Sequence, residues 1–522
     1  MNKREANERG MNERGVNERP MNEPPMNDWL SHRADVSPDR TAIVEAADGT
    51  EWTYAELDSA VERIAEKLAG LGLGKGDHLG MLMETRMEGV LLVHAAMRLG
   101  CVLVGLNVRL ATPELRRQVA VTDLSVLVCE ADTETVAHEI AAEGMDGENT
   151  RNVPVVSVDV STDTTLSACE GAEFERAEWS RADPQVLLFT SGTTGNPEAV
   201  TLTMGNLYAS ATASAFRLGV LPGDRWHLCL STYHMGGLAP LLRSALYGTT
   251  VVVQEGFDAE DTRSFLRTYR ATGVSLVPTM LRRLLDEGNL SDSLRFVLLG
   301  GAPARDDLIA ECSERDVPVC PTYGMTETAS QIATATPDEA VSHLGTVGRP
   351  LVFTDVSVVR DDGTLAPTGE PGELVVSGPT VMAGYYGNPD ATDEAFGEHG
   401  LRTGDVGYRD EGGRLWVLNR RADRIVTGGE NVHPGEVVDV LRDHPDVSEV
   451  AVVGVEDDEW GERIAALVVP AAETSVTLDS VREFCDGRLA GYKHPRLLDT
   501  AVELPRTTSG TIDREAVRER FR

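Results

Sequence analysis

Short apolar runs alternate with helical patterns along most of the chain, and this alternation limits the folds that it can adopt. Runs such as Thr250–Val253 and Phe296–Leu299 have the length and composition of buried strands. A Thr-x-x-Glu capping box at Thr53 is followed by apolar residues at helical spacing up to Leu71. Because strands that alternate with helices form parallel sheets covered by helices on both faces, we expect an α/β fold.

The chain is long enough for more than one domain. Its 522 residues exceed the ~100–200 residues of a usual domain. Near Gly428 the pattern changes to compact strands, at 450–455 and 464–470. We therefore expect a large domain over residues 26–419 and a small α+β domain over residues 424–522.

The first 25 residues form an imperfect repeat around Asn-Glu-Arg-Gly that has no apolar periodicity. Such a segment cannot bury a core, so we expect it to be disordered. Methionines punctuate it, and Met1, Met11, Met21 and Met26 are all candidate starts of translation. Neither a signal peptide nor a transit peptide fits, since acidic residues are frequent and the segment has no apolar core.

The composition is strongly acidic, with a net charge of −36 and only four lysines among the 48 Lys and Arg residues. Nucleic acids and anionic membranes would repel such a chain, so we expect neither as a partner. The longest apolar region, Gly89 to Val108, is interrupted by His94 and Arg98 and predicts a buried helix followed by a strand instead of a membrane span. We expect a soluble, cytoplasmic protein.

An excess of acidic residues with few lysines is typical of proteins from a high-salt cytoplasm, where a Debye length of ~3 Å at 1 M screens self-repulsion. We therefore expect a halophilic protein, whose midpoint of thermal unfolding rises as KCl increases towards about 1 M. Unfolding scans over a KCl series would measure this shift. Full stability and activity at low salt would contradict it.

An apolar strand that begins near Val186 continues into a turn rich in glycine and hydroxyl side chains. The turn consists of Thr190, Ser191, Gly192, Thr193, Thr194 and Gly195. Its glycines would let backbone amides converge on an anion, and its hydroxyls are further donors. No Gly-Lys-Ser/Thr follows at the spacing of a Walker loop, so the turn is either a different phosphate cradle or a plain polar loop.

Four further motifs follow this turn in a fixed order. They are Thr322-Tyr-Gly-Met-Thr-Glu-Thr328, Gly372-Glu-Leu, Thr403-Gly-Asp405 and the segment from Arg420 to Gly428-Gly-Glu-Asn431. The ordered set resembles the acyl-adenylate-forming superfamily of acyl-CoA synthetases, peptide-synthetase adenylation domains and luciferases, over about Asp28 to Arg522. This resemblance implies a small, mobile C-terminal domain with residues 420–423 as its hinge. A plain inter-domain loop is the alternative for those residues.

The resemblance implies that a carboxylate attacks the α-phosphate of Mg-ATP, and that the thiol of CoA then displaces AMP from the acyl-adenylate. Glu327 would hold Mg²⁺, and Thr326 would contact the α-phosphate. The glycine- and hydroxyl-rich turn would hold the β- and γ-phosphates. Asp405 and Arg420 would bind the ribose, whereas without the other motifs they would be a turn residue and a solvated surface charge. The remaining ATP contacts would come from Gly301, Ala302, Pro303, Thr322, Tyr323 and Gly324.

The acid pocket resembles that of the 2-succinylbenzoate–CoA ligases of menaquinone biosynthesis more than that of fatty acyl-CoA or acetyl-CoA enzymes. The residues that carry this resemblance are His234, Thr279, Ser330 and Gln331. A dianionic aromatic acid needs hydrogen-bond donors, which these side chains and Arg243 could supply. The alternatives are a core position for His234, a solvent-facing position for Arg243, and a fatty or aromatic acyl-CoA synthetase for the whole chain.

The resemblance places Gly428, Gly429 and Glu430 beside the pantetheine thiol of CoA, because glycines allow close approach of the backbone. Lys493 and Arg496 would meet the acidic nucleotide end of CoA. Homodimerisation is a further expectation from the family.

One departure from the family pattern bears on catalysis. Relatives have a lysine that bridges the acyl carboxylate and the α-phosphate; this chain has Thr511 there, which we expect to cost about 10²- to 10³-fold in rate. Lys493, Arg506 or Arg514 could replace the missing charge. Glu198 would repel ATP unless it points away. The alternative function is therefore a protein that binds nucleotide or acyl-adenylate with little or no turnover.

Overall fold

The computed structural model describes residues 26–142, 153–160, 164–191, 197–420, 425–471, 474–506 and 512–522. Several sequence-based predictions lie outside these residues. They concern the disorder of residues 1–25 with the starts at Met1, Met11 and Met21, the turn from Gly192 to Gly195, residues 421–423 of the hinge, and Thr511.

The first sheet is mixed, with a parallel centre. Its strands, in spatial order, are Arg349–Pro350, Ser330–Thr334, Val319–Met325, Phe296–Leu299, Gly273–Leu276, Arg225–Leu228, Thr250–Val253, Thr41–Glu45 and Glu51–Thr53. Pairing is parallel from Val319–Met325 to Thr41–Glu45 and antiparallel at both edges. The expected strand Phe296–Leu299 has the predicted bounds, and Thr250–Val253 does as well.

The second sheet has the same character. Its strands, in spatial order, are Gly384–Tyr385, Pro197–Thr203, Pro184–Ser191, Val102–Gly105, His78–Leu82, Leu124–Cys129 and Val155–Ser157. The strands from Pro184–Ser191 onward are parallel, and the first two pairs are antiparallel. The first two sheets share one apolar core, to which the helices Tyr54–Gly70 and Met87–Leu99 contribute.

A third sheet in the large domain is antiparallel, a feature that the strand–helix alternation did not predict. It contains Asp355–Val359, Gly372–Ser377, Gly400–Arg409 and Phe396–Gly397, and Leu415–Arg420 pairs with Gly400–Arg409. Antiparallel strands need no crossover helix, and in the sequence they are indicated by alternating buried and exposed residues instead of by strand–helix alternation.

The last sheet is built only from the C-terminal part of the chain. Its strands are Glu430–Val432, Ile425–Thr427, Gly461–Pro470 and Val447–Asp457, and Leu497–Thr500 pairs with Gly461–Pro470. Strand pairing therefore passes from one sheet to another between Arg420 and Ile425, which is where the sequence predicts the hinge.

The helices cover these sheets. The α-helices are Trp29–Val36, Tyr54–Gly70, Met87–Leu99, Thr112–Ala120, Glu134–Ala141, Met204–Leu218, Met235–Tyr247, Ala259–Thr268, Pro278–Asp286, Asp306–Glu314, Pro337–Ser342, Pro389–Ala395, Pro434–Arg442, Leu478–Cys485 and Arg514–Glu519. Short 3-10 turns occupy Ala131–Thr133, Leu166–Ala168, Thr326–Thr328 and Gly491–Lys493. The capping box at Thr53 is confirmed, since Thr53 and Glu56 each bond the other's backbone N–H. Within the described ranges, no helix combines the length and apolar character needed to cross a bilayer.

Candidate active site

A cavity of about 2240 Å³ lies where the carboxyl ends of parallel strands meet the C-terminal domain. Loops that follow four neighbouring strands of the first sheet line it, as ligand sites in α/β sheets usually require. The predicted site residues in its wall are Thr190, His234, Thr279, Gly301, Ala302, Pro303, Thr322, Tyr323, Gly324, Thr326, Glu327, Ser330, Gln331, Asp405, Gly428, Gly429 and Glu430. Ser191 ends the strand Pro184–Ser191 beside this wall.

Glu327 lies in the 3-10 turn Thr326–Thr328, directly after the strand Val319–Met325. Its carboxylate is buried, and the Tyr385 hydroxyl donates a 3.3 Å hydrogen bond to Oε1. In the described ranges, no group of three His, Cys, Asp or Glu side chains is placed to hold a metal alone. Mg²⁺ that is bound together with nucleotide phosphates needs only one or two protein carboxylates, so Glu327 fits such a site.

The backbone after Glu327 is held in an unusual path. Ala329 and Ser330 have φ angles of 51° and 110°, which cost residues with a Cβ about 1–3 kcal/mol each. The neighbouring strand passes so close that a Cβ on Gly324 would lie 1.6 Å from the Ser330 carbonyl oxygen. Only glycine at position 324 allows this approach, which fixes where Glu327 and Ser330 meet the cavity.

Asp405 lies inside the strand Gly400–Arg409 and not in a turn, and its side chain is 1% exposed. The Tyr323 hydroxyl donates a 2.7 Å hydrogen bond to its Oδ2 atom. Arg420 is its partner across the antiparallel pair, so the two predicted ribose ligands are neighbours in the third sheet.

Arg243 is buried at the cavity wall, so the solvent-facing alternative for this side chain is wrong. Its two terminal nitrogens donate to Gln331 Oε1 at 3.0 Å and to Ser210 Oγ at 3.1 Å. Within the described ranges, no carboxylate lies within salt-bridge distance of the guanidinium. Burial holds the pKa of Arg243 below its ordinary value, with only the neighbouring Tyr247 acting the other way. Among the described residues, this desolvated cation therefore has no anionic partner.

Gln331 is not a free donor at the cavity wall. Its amide oxygen accepts from Arg243, and its amide nitrogen donates to Thr334 Oγ1 at 2.8 Å. The Gln331 amide therefore holds the Arg243 guanidinium in place. The sequence did not predict this contact.

His234 is half exposed at the cavity, so the core alternative for this residue is wrong. Its Nε2 atom lies 3.3 Å from Glu430 Oε2, while Arg109 donates to Glu430 Oε1 at 2.8 Å. Burial would raise the pKa of Glu430, but the bond to His234 and the charges of His234, Arg109 and Lys493 hold it below its ordinary value. Glu430 of the small domain thus contacts two side chains of the large domain, His234 and Arg109.

Arg109 was missed by the sequence analysis. It follows the buried strand Val102–Gly105 by four residues, at the carboxyl end where ligands of parallel sheets bind, and this position is the signal that could have indicated it. Its guanidinium also lies over the Tyr492 ring, 5.0 Å from the centroid.

The Lys493 ammonium is held by two carboxylates in this arrangement, so it offers no spare charge that could replace the missing lysine. Its ammonium lies 2.6 Å from Glu114 Oε1 and 2.5 Å from Glu436 Oε2, and its side chain is buried. Arg506 forms an exposed ion pair with Glu449. Arg514 begins the final helix, Arg514–Glu519.

Glu198 lies beside the strand end that carries Thr190, and its carboxylate accepts from Asn388 Nδ2 at 3.1 and 3.2 Å. Burial raises the pKa of Glu198, and the amide bond opposes this only in part. The side chain of Glu198 is thus held by Asn388.

Gly429 of the small domain approaches Val277 of the large domain at the acid side of the cavity. A Cβ at this position would lie 3.2 Å from a methyl carbon of Val277, and its φ of 84° is left-handed. Both facts favour glycine, and Val277 directly precedes the helix Pro278–Asp286 that carries Thr279.

Comparison with known proteins identifies the chain's relatives. The sequence profile of the AMP-binding enzyme family matches residues 30–386, and that of the AMP-binding enzyme C-terminal domain matches residues 436–511. A 2-succinylbenzoate–CoA ligase from Bacillus licheniformis is 38% identical over 487 residues, which are 93% of this chain and 98% of that protein.

Two solved structures of the o-succinylbenzoate CoA synthetase from Bacillus subtilis differ in how well they superpose. A double mutant bound to the product analogue OSB-NCoA is 36% identical, covers 95% of this chain and 98% of its own, and has a TM-score of 0.87. The complex with ATP and magnesium ion is 37% identical, covers 94% and 99%, and has a TM-score of 0.71. Identity and coverage are nearly equal in the two comparisons, but this chain superposes better on the product-analogue complex than on the ATP complex.

Proposed function

Since the chain belongs to the AMP-binding enzyme family, we propose that it is an AMP-forming acid–CoA ligase that converts 2-succinylbenzoate to 2-succinylbenzoyl-CoA, a step of menaquinone biosynthesis. The observation that carries the choice of acid is Arg243, a buried cation at the cavity wall. 2-Succinylbenzoate has two carboxylates, so that one can react while the other stays charged. A desolvated guanidinium is a suitable partner for the second carboxylate.

In the first half-reaction, an oxygen of the acid's reacting carboxylate attacks the α-phosphorus of ATP, and pyrophosphate leaves. Mg²⁺, when bound, neutralises phosphate charge. Glu327 would hold it, and Thr326 would contact the α-phosphate. The turn that begins at Thr190 would hold the outer phosphates, and Asp405, next to Arg420, would accept from the ribose hydroxyls. Such catalysis rests on positioning and on charge stabilisation.

In the second half-reaction, the CoA thiol attacks the acyl carbon and AMP leaves. The close approach of Gly429 to Val277 and the contact of Glu430 with His234 support a docked small domain in this step. Arg496 lies 3.8 Å from the Trp460 ring centroid, and Trp460 lines the cavity. This pair would meet the nucleotide end of CoA, a role for which Lys493 is not available.

We propose further that residues 420–423 are the hinge of the small domain, and that the enzyme works in the cytoplasm as a homodimer. The change of sheet between Arg420 and Ile425 supports the hinge. Sedimentation of the purified protein would measure the oligomeric state.

The function is tested by pyrophosphate release with Mg-ATP and CoA, in about 1 M KCl, with 2-succinylbenzoate, benzoate or a medium-chain fatty acid. Release that is fastest with 2-succinylbenzoate is expected, and a rapid rate would show that the threonine at position 511 is compensated. Release with benzoate or the fatty acid instead would favour an aromatic or fatty acyl-CoA synthetase. Nucleotide binding without release with any acid would favour a binding protein.

A further inference from the structure

Three buried charges connect the two domains. The Lys493 ammonium contacts Glu114 and Glu436, and the exposed fractions of the three side chains are 7%, 4% and 8%. Burial alone would lower the pKa of Lys493, but the two carboxylates raise it above its ordinary value. The ammonium is therefore charged at neutral pH and held between two anions.

The two carboxylates differ in where they come from. Glu436 lies on the helix Pro434–Arg442, in the same domain as Lys493, whereas Glu114 lies on the helix Thr112–Ala120 of the large domain. Glu114 Oε2 also accepts from the backbone N–H groups of Ala490 at 2.7 Å and of Ala111 at 2.9 Å. Glu114 of the large domain thus accepts two hydrogen bonds from the small domain, one from the Lys493 ammonium and one from the Ala490 backbone N–H.

We propose that Glu114 is the docking receptor for residues 490–493, and that it is a positioning residue for the CoA half-reaction. The inference rests on the proposed function. The better superposition on the product-analogue complex than on the ATP complex indicates that the Glu114 contact belongs to the arrangement for the second step.

The second carboxylate explains how such a contact can be reversible. A buried lysine that lost its only anion would pay a large desolvation cost, and the domains would be locked together. Glu436 moves with Lys493, so the ammonium remains paired when the small domain leaves Glu114. The contact therefore biases an equilibrium between two arrangements without trapping one of them.

The test is the substitution Glu114→Gln, which removes the charge and keeps an oxygen for the N–H groups of Ala490 and Ala111. Adenylation is measured as exchange of pyrophosphate into ATP without CoA, and the second step by mixing preformed acyl-adenylate enzyme with CoA in a single turnover. We expect the CoA step to slow by about ten- to a hundredfold, because a buried charged hydrogen bond is lost, while exchange remains within about twofold.

Glu436→Gln is the matched control, because it makes the same change in the same cluster but leaves the inter-domain contact intact. We expect it to keep the CoA step within about threefold of the unsubstituted enzyme. Thermal unfolding of both variants checks that they are folded. Equal slowing of both half-reactions by Glu114→Gln, no slowing of either, or a larger effect of Glu436→Gln on the CoA step would overturn the proposal. If the unsubstituted protein itself shows no exchange with any acid, the proposed function fails instead.

Discussion

Replacement of Arg243 with methionine is expected to lower kcat/KM for 2-succinylbenzoate by about 10²- to 10⁴-fold, since the loss of one member of a buried charge pair costs about 3–5 kcal/mol. Methionine has a similar length and keeps the packing of the helix Met235–Tyr247. The variant would lack the cation that pairs with the non-reacting carboxylate. Steady-state kinetics with 2-succinylbenzoate would measure the loss.

The same substitution is expected to leave the free energy of unfolding unchanged or to raise it. In the described ranges, Arg243 donates only to the neutral groups of Gln331 and Ser210, so its burial carries a desolvation cost that no anion offsets. An apolar side chain removes that cost. Stability would therefore be held or gained while activity is lost, as is common where a binding site is itself a destabilising feature.

A second arginine provides the control for this prediction. Arg217 bonds the Thr334 carbonyl at 2.7 Å and pairs with Glu339 at 2.6 Å, and it does not line the cavity. We expect Arg217→Met to lower the midpoint of thermal unfolding and to leave kcat/KM within about threefold. For Arg243→Met, an unchanged kcat/KM for 2-succinylbenzoate would contradict the assignment.

The order of strands and helices could be predicted because its signals are local. Phe296–Leu299 and the helix after Thr53 follow from apolar runs and from a capping box. The antiparallel third sheet was missed because antiparallel strands need no crossover helix between them, so strand–helix alternation does not indicate such a sheet.

The sequence predicted which residues form the candidate site, but it did not predict which of the buried charges pair with each other. Ordered motifs predicted the nucleotide residues, and most of the residues that they indicated line one cavity although they come from different sheets. Whether Arg243 points to solvent or to the cavity depends on how its helix packs on the rest of the fold. Lys493 and Glu114 are 379 positions apart, so no local pattern could show their contact. Pairing of buried charges is decided by tertiary structure.

Replacement of Glu327 with glutamine is expected to lower the rate of adenylation by about 10²- to 10³-fold. Glutamine has the same size, and its amide oxygen can still accept from Tyr385, so the loss would come from the charge. A hard cation binds a carboxylate oxygen far better than a neutral amide when it also bridges phosphates. Pyrophosphate exchange over a Mg²⁺ series would measure both the rate and the Mg²⁺ concentration for half-maximal rate, which we expect to rise.

Two comparisons separate loss of metal binding from damage to the nucleotide site. AMP binds without a divalent ion through the ribose and adenine contacts, so we expect calorimetry to give the same affinity for AMP with and without the Glu327 substitution. Glu373 is the matched control, because it is buried and pairs with Arg402 at 2.8 Å outside the cavity. Glu373→Gln should alter stability but not the Mg²⁺ dependence of exchange. An unchanged Mg²⁺ dependence in Glu327→Gln would mean that another group holds the ion, because a residue that binds the metal cannot lose its charge without shifting that dependence.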